Sequence, residues 1–213
     1  MGLRFAVVLG WHPDRVGTDQ TPGEPDLLVV VDVAAWRAWL DAYEAESDGV
    51  WLLLAKKGTT APTSLTYDQA LDEALCSGWI DGQKRSHDSV SFRQRFTPRR
   101  RASMWSQRNV GIVARLTDEG RMRDRGIQEV DRAKADGRWD RAYAGSATIE
   151  VPDDLAAALA ATPAAAKQFE NLNSQNRFAV LHRIVTAPSP SARATRLVKL
   201  VAMLERGEAP HPQ

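Results

Sequence analysis

The chain has 213 residues, 43% of them hydrophobic and 26% charged, with a formal net charge of +1. That length can bury a real core, and the single cysteine, Cys76, excludes an internal disulfide framework and fits a reducing compartment. The apolar run Phe5 to Leu9 is too short for a signal-peptide core or a membrane span, so the reading is a cytoplasmic protein without membrane insertion.

Residues 1–26, rich in proline, glycine and polar side chains, read as a flexible leader. "LLVVVD" (Leu27 to Asp32) predicts a strand, and "VAAWRAWLDAYEAE" an amphipathic helix. "VWLLLAKK" (Val50 to Lys57), apolar and bounded by Gly49 and Gly58, predicts a buried strand. The helix of "LTYDQALDEALCSG" opens with a capping box, in which Thr66 bonds the amide of Gln69 and Gln69 reaches back to Thr66. Cys76 lies beside its buried stripe and reads as an inert thiol, no base partner being identifiable.

"WIDGQKRSHDSVSFRQRF" predicts a β-hairpin near residues 79–97, ended by Pro98. A three-residue loop, His87 to Ser89, sets Ile80 opposite Phe96 and Asp81 opposite Arg95. An even loop sets Trp79 opposite Phe96 instead. The first register is preferred because it gives the acid a guanidinium partner. Beyond it, helices follow in "SMWSQRNVGIVARLTDEG", with Ser103 as N-cap, and in "GIQEVDRAKADG". "RWDRAYAGSATIEVPDD" reads as a loose connection. The remainder predicts helices introduced by Asp153, Thr162–Pro163, Ser174 and Ser189–Pro190. The expected fold is α+β: a small antiparallel sheet with packed helices over 27–149, an all-helical bundle over 150–207, and a tail at 208–213.

These residues carry a family resemblance. "SLTYDQALDEALCSGWIDGQKR", "QRFTPRRRASMWSQRN", "DEGRM", "KADGRWDRAY" and "VPDDLAAALAATPAAAKQFENLNSQNRFAVLHRIVTA" with "RATRLVKLVAMLERGE" resemble the YdeI/OmpD-associated family, also called bacteriocin-protection proteins. The resemblance spans roughly residues 33–207 and leaves the leader outside. It implies a role in bacterial stress tolerance and protection against antimicrobial peptides, and carries no reaction, cofactor or catalytic set across.

Charge is distributed unevenly. Residues 1–83 hold 5 Lys/Arg against 13 Asp/Glu, whereas residues 84–125 hold 12 against 4. Either the two parts pack together and cancel, or the basic segment meets an anionic partner. The four histidines lack ligand spacing, and no phosphate-binding glycine loop or serine-hydrolase elbow is present, so neither metal nor cofactor is expected. Asp81 and His87 are the candidates for an acid–base site. The functional reading preferred is binding of phosphate, nucleotide or nucleic acid through Lys84, Arg85, Arg93, Arg95, Arg99 and Arg100, whose forked guanidiniums match anion oxygens. Trp79, Phe96 and Trp105 are the candidate stacking rings and Asp81 a further contact. A rival reading makes the C-terminal helices a protein-interaction module.

Overall fold

The computed structural model describes residues 27–212; the leader expected at 1–26 lies outside the described residues. The fold is α+β. A four-stranded mixed sheet is formed by β1 (Leu27–Leu28), β2 (Val50–Ala55), β3 (Trp79–Ser86) and β4 (Ser91–Pro98), in the order β1-β2-β4-β3. β1 pairs parallel to β2, and the other pairings are antiparallel. The strand expected over 27–32 is reduced to two residues, because the chain bends after Leu28 and Asp32 caps the next helix through the amide of Ala35.

The chain divides into two compact units, and the division falls within two helices, α3 (Gln107–Asp118) and α4 (Asp124–Ala135), rather than at the Glu150–Asp153 connection. The first unit comprises the sheet, α1 (Val33–Tyr43), α2 (Tyr67–Cys76) and the stretch Leu116–Glu129. The second comprises Ala102–Arg115 and everything from Val130 onward.

In the first unit, α1 and α2 lie on one face of the sheet. Trp36 of α1 is fully buried, sits 5.7 Å from Phe96 of β4 between ring centroids, and donates its indole N–H to the carbonyl of Ala70 in α2. α2 is the helix best specified locally: the Thr66–Gln69 capping box forms as its sequence predicts. Its inner side carries a buried carboxylate, Glu73, on which three guanidiniums converge. Arg121 stands 2.7 Å away, Arg123 3.3 Å and Arg37 3.7 Å. Asp41, Asp72 and Glu119 balance those cations from outside. The acidic front of the sequence thus meets part of its basic middle here, and the Glu73 hydrogen bond makes the Arg121 guanidinium hold its proton more tightly than usual. The start of α4 passes close over the end of α2, where a Cβ at Gly126 would come within 2.2 Å of the Cys76 carbonyl oxygen.

The second unit is built on a core of Leu155, Leu159, Phe169, Val180, Leu181, Ile184, Leu200 and Leu204. These come from α5 (Asp153–Ala161), α6 (Pro163–Glu170), α7 (Ser174–Val185) and α8 (Pro190–Glu205). Three N-termini differ from expectation. α3 starts at Gln107, and Ser106 rather than Ser103 accepts the amide of Asn109. α5 has no side-chain cap, because it begins directly after Pro152, and Asp154 pairs with Arg193 at 2.7 Å. Asn173 rather than Ser174 caps α7. Nor is the connection after α4 loose: Trp139 packs against Trp105 at 4.9 Å, and the backbone of Tyr143 bonds both Trp105 and Gln107.

The residues after α8 are fastened too. Asn176, fully buried in α7, donates to the carbonyl of His211 at 3.1 Å and accepts its amide at 2.8 Å, while Gln168 donates to the carbonyl of Gly207. The side chain replaces a backbone partner in both directions, which is why a buried asparagine is tolerated.

Two stability measurements follow. Glu73→Ala leaves buried guanidiniums uncompensated, and a loss of about 3–5 kcal/mol is expected from urea unfolding. Asn176→Ala orphans the His211 amide and carbonyl, with an expected loss of about 1–3 kcal/mol. It should also raise amide exchange at Ala209 and His211 without changing exchange in the sheet.

Candidate functional site

The β3–β4 hairpin decides which side chains share a face, and its register differs from the expected one. Asp81 stands opposite Phe96 and Ile80 opposite Thr97; after an irregularity between Asp81 and Lys84, Lys84 stands opposite Gln94 and Arg85 opposite Arg93. The preferred pairing of Asp81 with Arg95 is therefore not formed, and neither is Trp79 with Phe96. Two local devices account for the shift. The loop between the paired Ser86 and Phe92 has five residues, His87 to Ser91, and within it the Asp88 carboxylate accepts the amides of Val90 and Ser91 at 2.9 and 2.7 Å. These bonds also hold the Asp88 carboxyl below its ordinary range, the Ser91 hydroxyl contributing most. The second device is the bulge itself, an extra residue in one strand of the pair. The buried Gln94 side chain donates to the carbonyls of Gly82 and Gln83, at 2.9 and 3.2 Å, and so satisfies the groups that the bulge takes out of the ladder.

The register divides the candidate residues between two faces of the sheet. Trp79, Asp81, Lys84 and Phe96 belong to the face under α1 and α2. Trp79 and Phe96 are fully buried, Trp79 edge-on to Trp39 at 5.8 Å and bonded to the carbonyl of Glu44. Their rings fill the core, so they offer no stacking surface. Trp105, 1% exposed in the second unit, is a core residue for the same reason. Asp81 accepts a 2.8 Å hydrogen bond from the Tyr67 hydroxyl, and Lys84 lies over the Phe92 ring at 4.3 Å.

The opposite face carries the arginines. Arg95 pairs with Trp51 of β2, Arg93 with Leu53 of β2 and with Arg85 of β3. Residues directly opposite in a ladder project to the same side. The Arg85 guanidinium confirms this, lying over the Trp51 ring at 4.7 Å. Arg85 is exposed, Arg93 and Arg95 are half-buried, and Trp51 is buried beneath them. Among the described residues, the charged side chains at ladder positions of this face are these three arginines. Trp51, which sequence reasoning took only as part of a buried strand, is the aromatic member of the group. Its signal was the strand pairing, which periodicity within β2 cannot reveal.

Arg99 and Arg100 follow the end of β4. Arg99 is 5% exposed, and its amide bonds the carbonyl of Gly78, continuing the β3–β4 pairing one step past Pro98. His87 sits in the turn, 3.8 Å from Asp88, and several strand residues separate it from Asp81. At about 3.3 Å per residue this is on the order of 15–20 Å, too far for a shared proton. The acid–base pair suggested by the sequence is not assembled.

Cys76 is fully buried, and its thiol is pushed up to about 11, first by burial and then by the neighbouring Glu73 carboxylate. It is a core thiol and not a nucleophile at neutral pH. Folded protein at pH 7.5 should therefore resist iodoacetamide over hours and take up one equivalent only in denaturant; rapid native labelling would contradict the placement.

Residues 28–129 match a domain of unknown function (DUF8412), and residues 148–207 match the family described as bacteriocin-protection, YdeI or OmpD-associated. No curated protein and no solved structure matches the chain. No described helix is long and apolar enough to cross a membrane.

Proposed function

We propose that this chain, whose C-terminal region belongs to the bacteriocin-protection, YdeI or OmpD-associated family, acts by binding an anionic ligand, phosphate-bearing or nucleic acid, on the arginine face of its sheet. The observation that carries the reading is the exposed Arg85, whose guanidinium lies over the Trp51 ring at 4.7 Å, with the half-buried Arg95 opposite Trp51 in the ladder. Guanidiniums bind phosphate or carboxylate oxygens through paired N–H donors. The Tyr67 hydroxyl holds Asp81 on the other face, away from the arginines. In the cell, such binding would serve the stress and bacteriocin-protection role that the family description suggests, from the cytoplasm.

Calorimetric titration with inorganic pyrophosphate at low salt tests the reading. Native protein is expected to bind, and Arg85→Gln or Arg95→Gln to weaken binding roughly ten-fold, the worth of one charge-assisted contact. Binding should fade as salt rises. Lys84→Gln, on the opposite face, should leave the affinity unchanged. Equal loss in all three variants, or no heat with native protein, would refute the assignment. Survival of bacteria expressing Arg85→Gln under antimicrobial-peptide challenge links the face to the phenotype.

A further inference from the structure

We infer that the end of the sheet where β2 finishes and the β3–β4 loop turns docks on an anionic lipid surface. Its lysines meet the headgroup phosphates and its exposed valines the interface beneath them. This surface is separate from the arginine face and does not rest on the reading of that face.

Backbone hydrogen bonds bring the chain segments of this end side by side. The amide of Ser64 donates to the carbonyl of Val31, the amide of Ala55 to the carbonyl of Leu65, and the amide of Lys56 to the carbonyl of Val90. Three strand spacings of about 4.8 Å therefore put Val31 about 15 Å from Val90. Val31 is 66% exposed and Val90 40%, whereas Val30 is buried at 4%. Among the described residues five large apolar side chains are exposed, and Val29, Val31 and Val90 are three of them. Scattered singly, such residues need no account; gathered at one end of a fold, they form a patch that water solvates poorly.

Cations stand beside the valines. Lys56 and Lys57 leave the end of β2, both exposed, and the Lys56 ammonium is fixed at the rim of the loop by the Asp88 carbonyl at 2.7 Å. Lys84, also exposed, lies over the Phe92 ring, next to the last pair of the hairpin, Ser86 with Phe92. The stretch from Lys56 to Leu65 contains no acid. Asp32 is committed to the amide of Ala35, and Asp88 to those of Val90 and Ser91. Asp68, in the first turn of α2, is likewise engaged. A compact ammonium on a flexible stem suits mobile headgroups. A soluble polyanion would use the lysines and leave the valines in water; a bilayer interface takes both. Valine is short, so the contact is peripheral.

The test is sedimentation of the full chain with vesicles of phosphatidylglycerol and phosphatidylcholine in equal parts, against vesicles of phosphatidylcholine alone. Binding is expected to the first and not to the second, and it should fade as salt rises. Lys57→Gln with Lys84→Gln should weaken it about twenty-five-fold, a factor near five for each lysine, and leave pyrophosphate binding unchanged. Val31→Ser with Val90→Ser should weaken it several-fold, circular dichroism confirming the fold. A polarity-sensitive dye on Val90→Cys should brighten as vesicles are added, the buried Cys76 staying unlabelled. The same dye on Ile127→Cys, exposed on α4, should not respond. Equal binding to phosphatidylcholine alone, undiminished binding of either double variant, or an equal response at Ile127 would overturn the assignment. Pyrophosphate binding without vesicle binding also overturns it, whereas vesicle binding without pyrophosphate binding supports it and removes only the arginine face.

Discussion

The side-chain amide of Gln94, bonded to two successive carbonyls in β3, is the interaction on which the functional face depends. It stabilises an extra residue in that strand, and the extra residue sets which side chains stand opposite one another. With Asp81 opposite Arg95, the hairpin would be a salt-bridged ribbon with its charge cancelled. With Asp81 opposite Phe96, the acid is carried under α2 to the Tyr67 hydroxyl and the arginines keep a face of their own. One buried glutamine thus decides between a structural ion pair and a surface that can hold an anion.

The basic segment is divided between two surroundings. Arg121 and Arg123 turn inward to Glu73 and tie the stretch between α3 and α4 to α2. Glu73 is 4% exposed at its side chain, so those ions have given up hydration and are costly to separate. Arg85 is exposed, where single ion pairs are worth little and screening by salt is strong. The inward group is suited to stability, and in it the reading that the acidic front packs against the basic middle is realised.

What was legible in the sequence was what neighbours along the chain determine. The Thr66–Gln69 capping box, the Ser189 cap and the Pro163 helix start need only residues three or four apart, and each forms. β2 was legible from its unbroken apolar run. The projection of Arg93 and Arg95 to one side followed from strand alternation alone. The site was less legible because it rests on pairings across the fold. Trp79 and Phe96 alternate as binding rings would, and only packing with Trp36 and Trp39 places them in the core. Asn176 is the third residue of α7, and its partner lies 35 positions away. Trp51 gained its role from a guanidinium two strands over.

The most direct test of the arginine face is the proton–nitrogen spectrum of the arginine side-chain Nε–Hε groups, recorded while inorganic pyrophosphate is added. The resonances of Arg85 and Arg95 should shift together and saturate together, while those of Arg121 and Arg123, held by Glu73, stay in place. Shifts confined to other arginines, or none at concentrations that saturate binding, would contradict the assignment of the sheet face as the anion site.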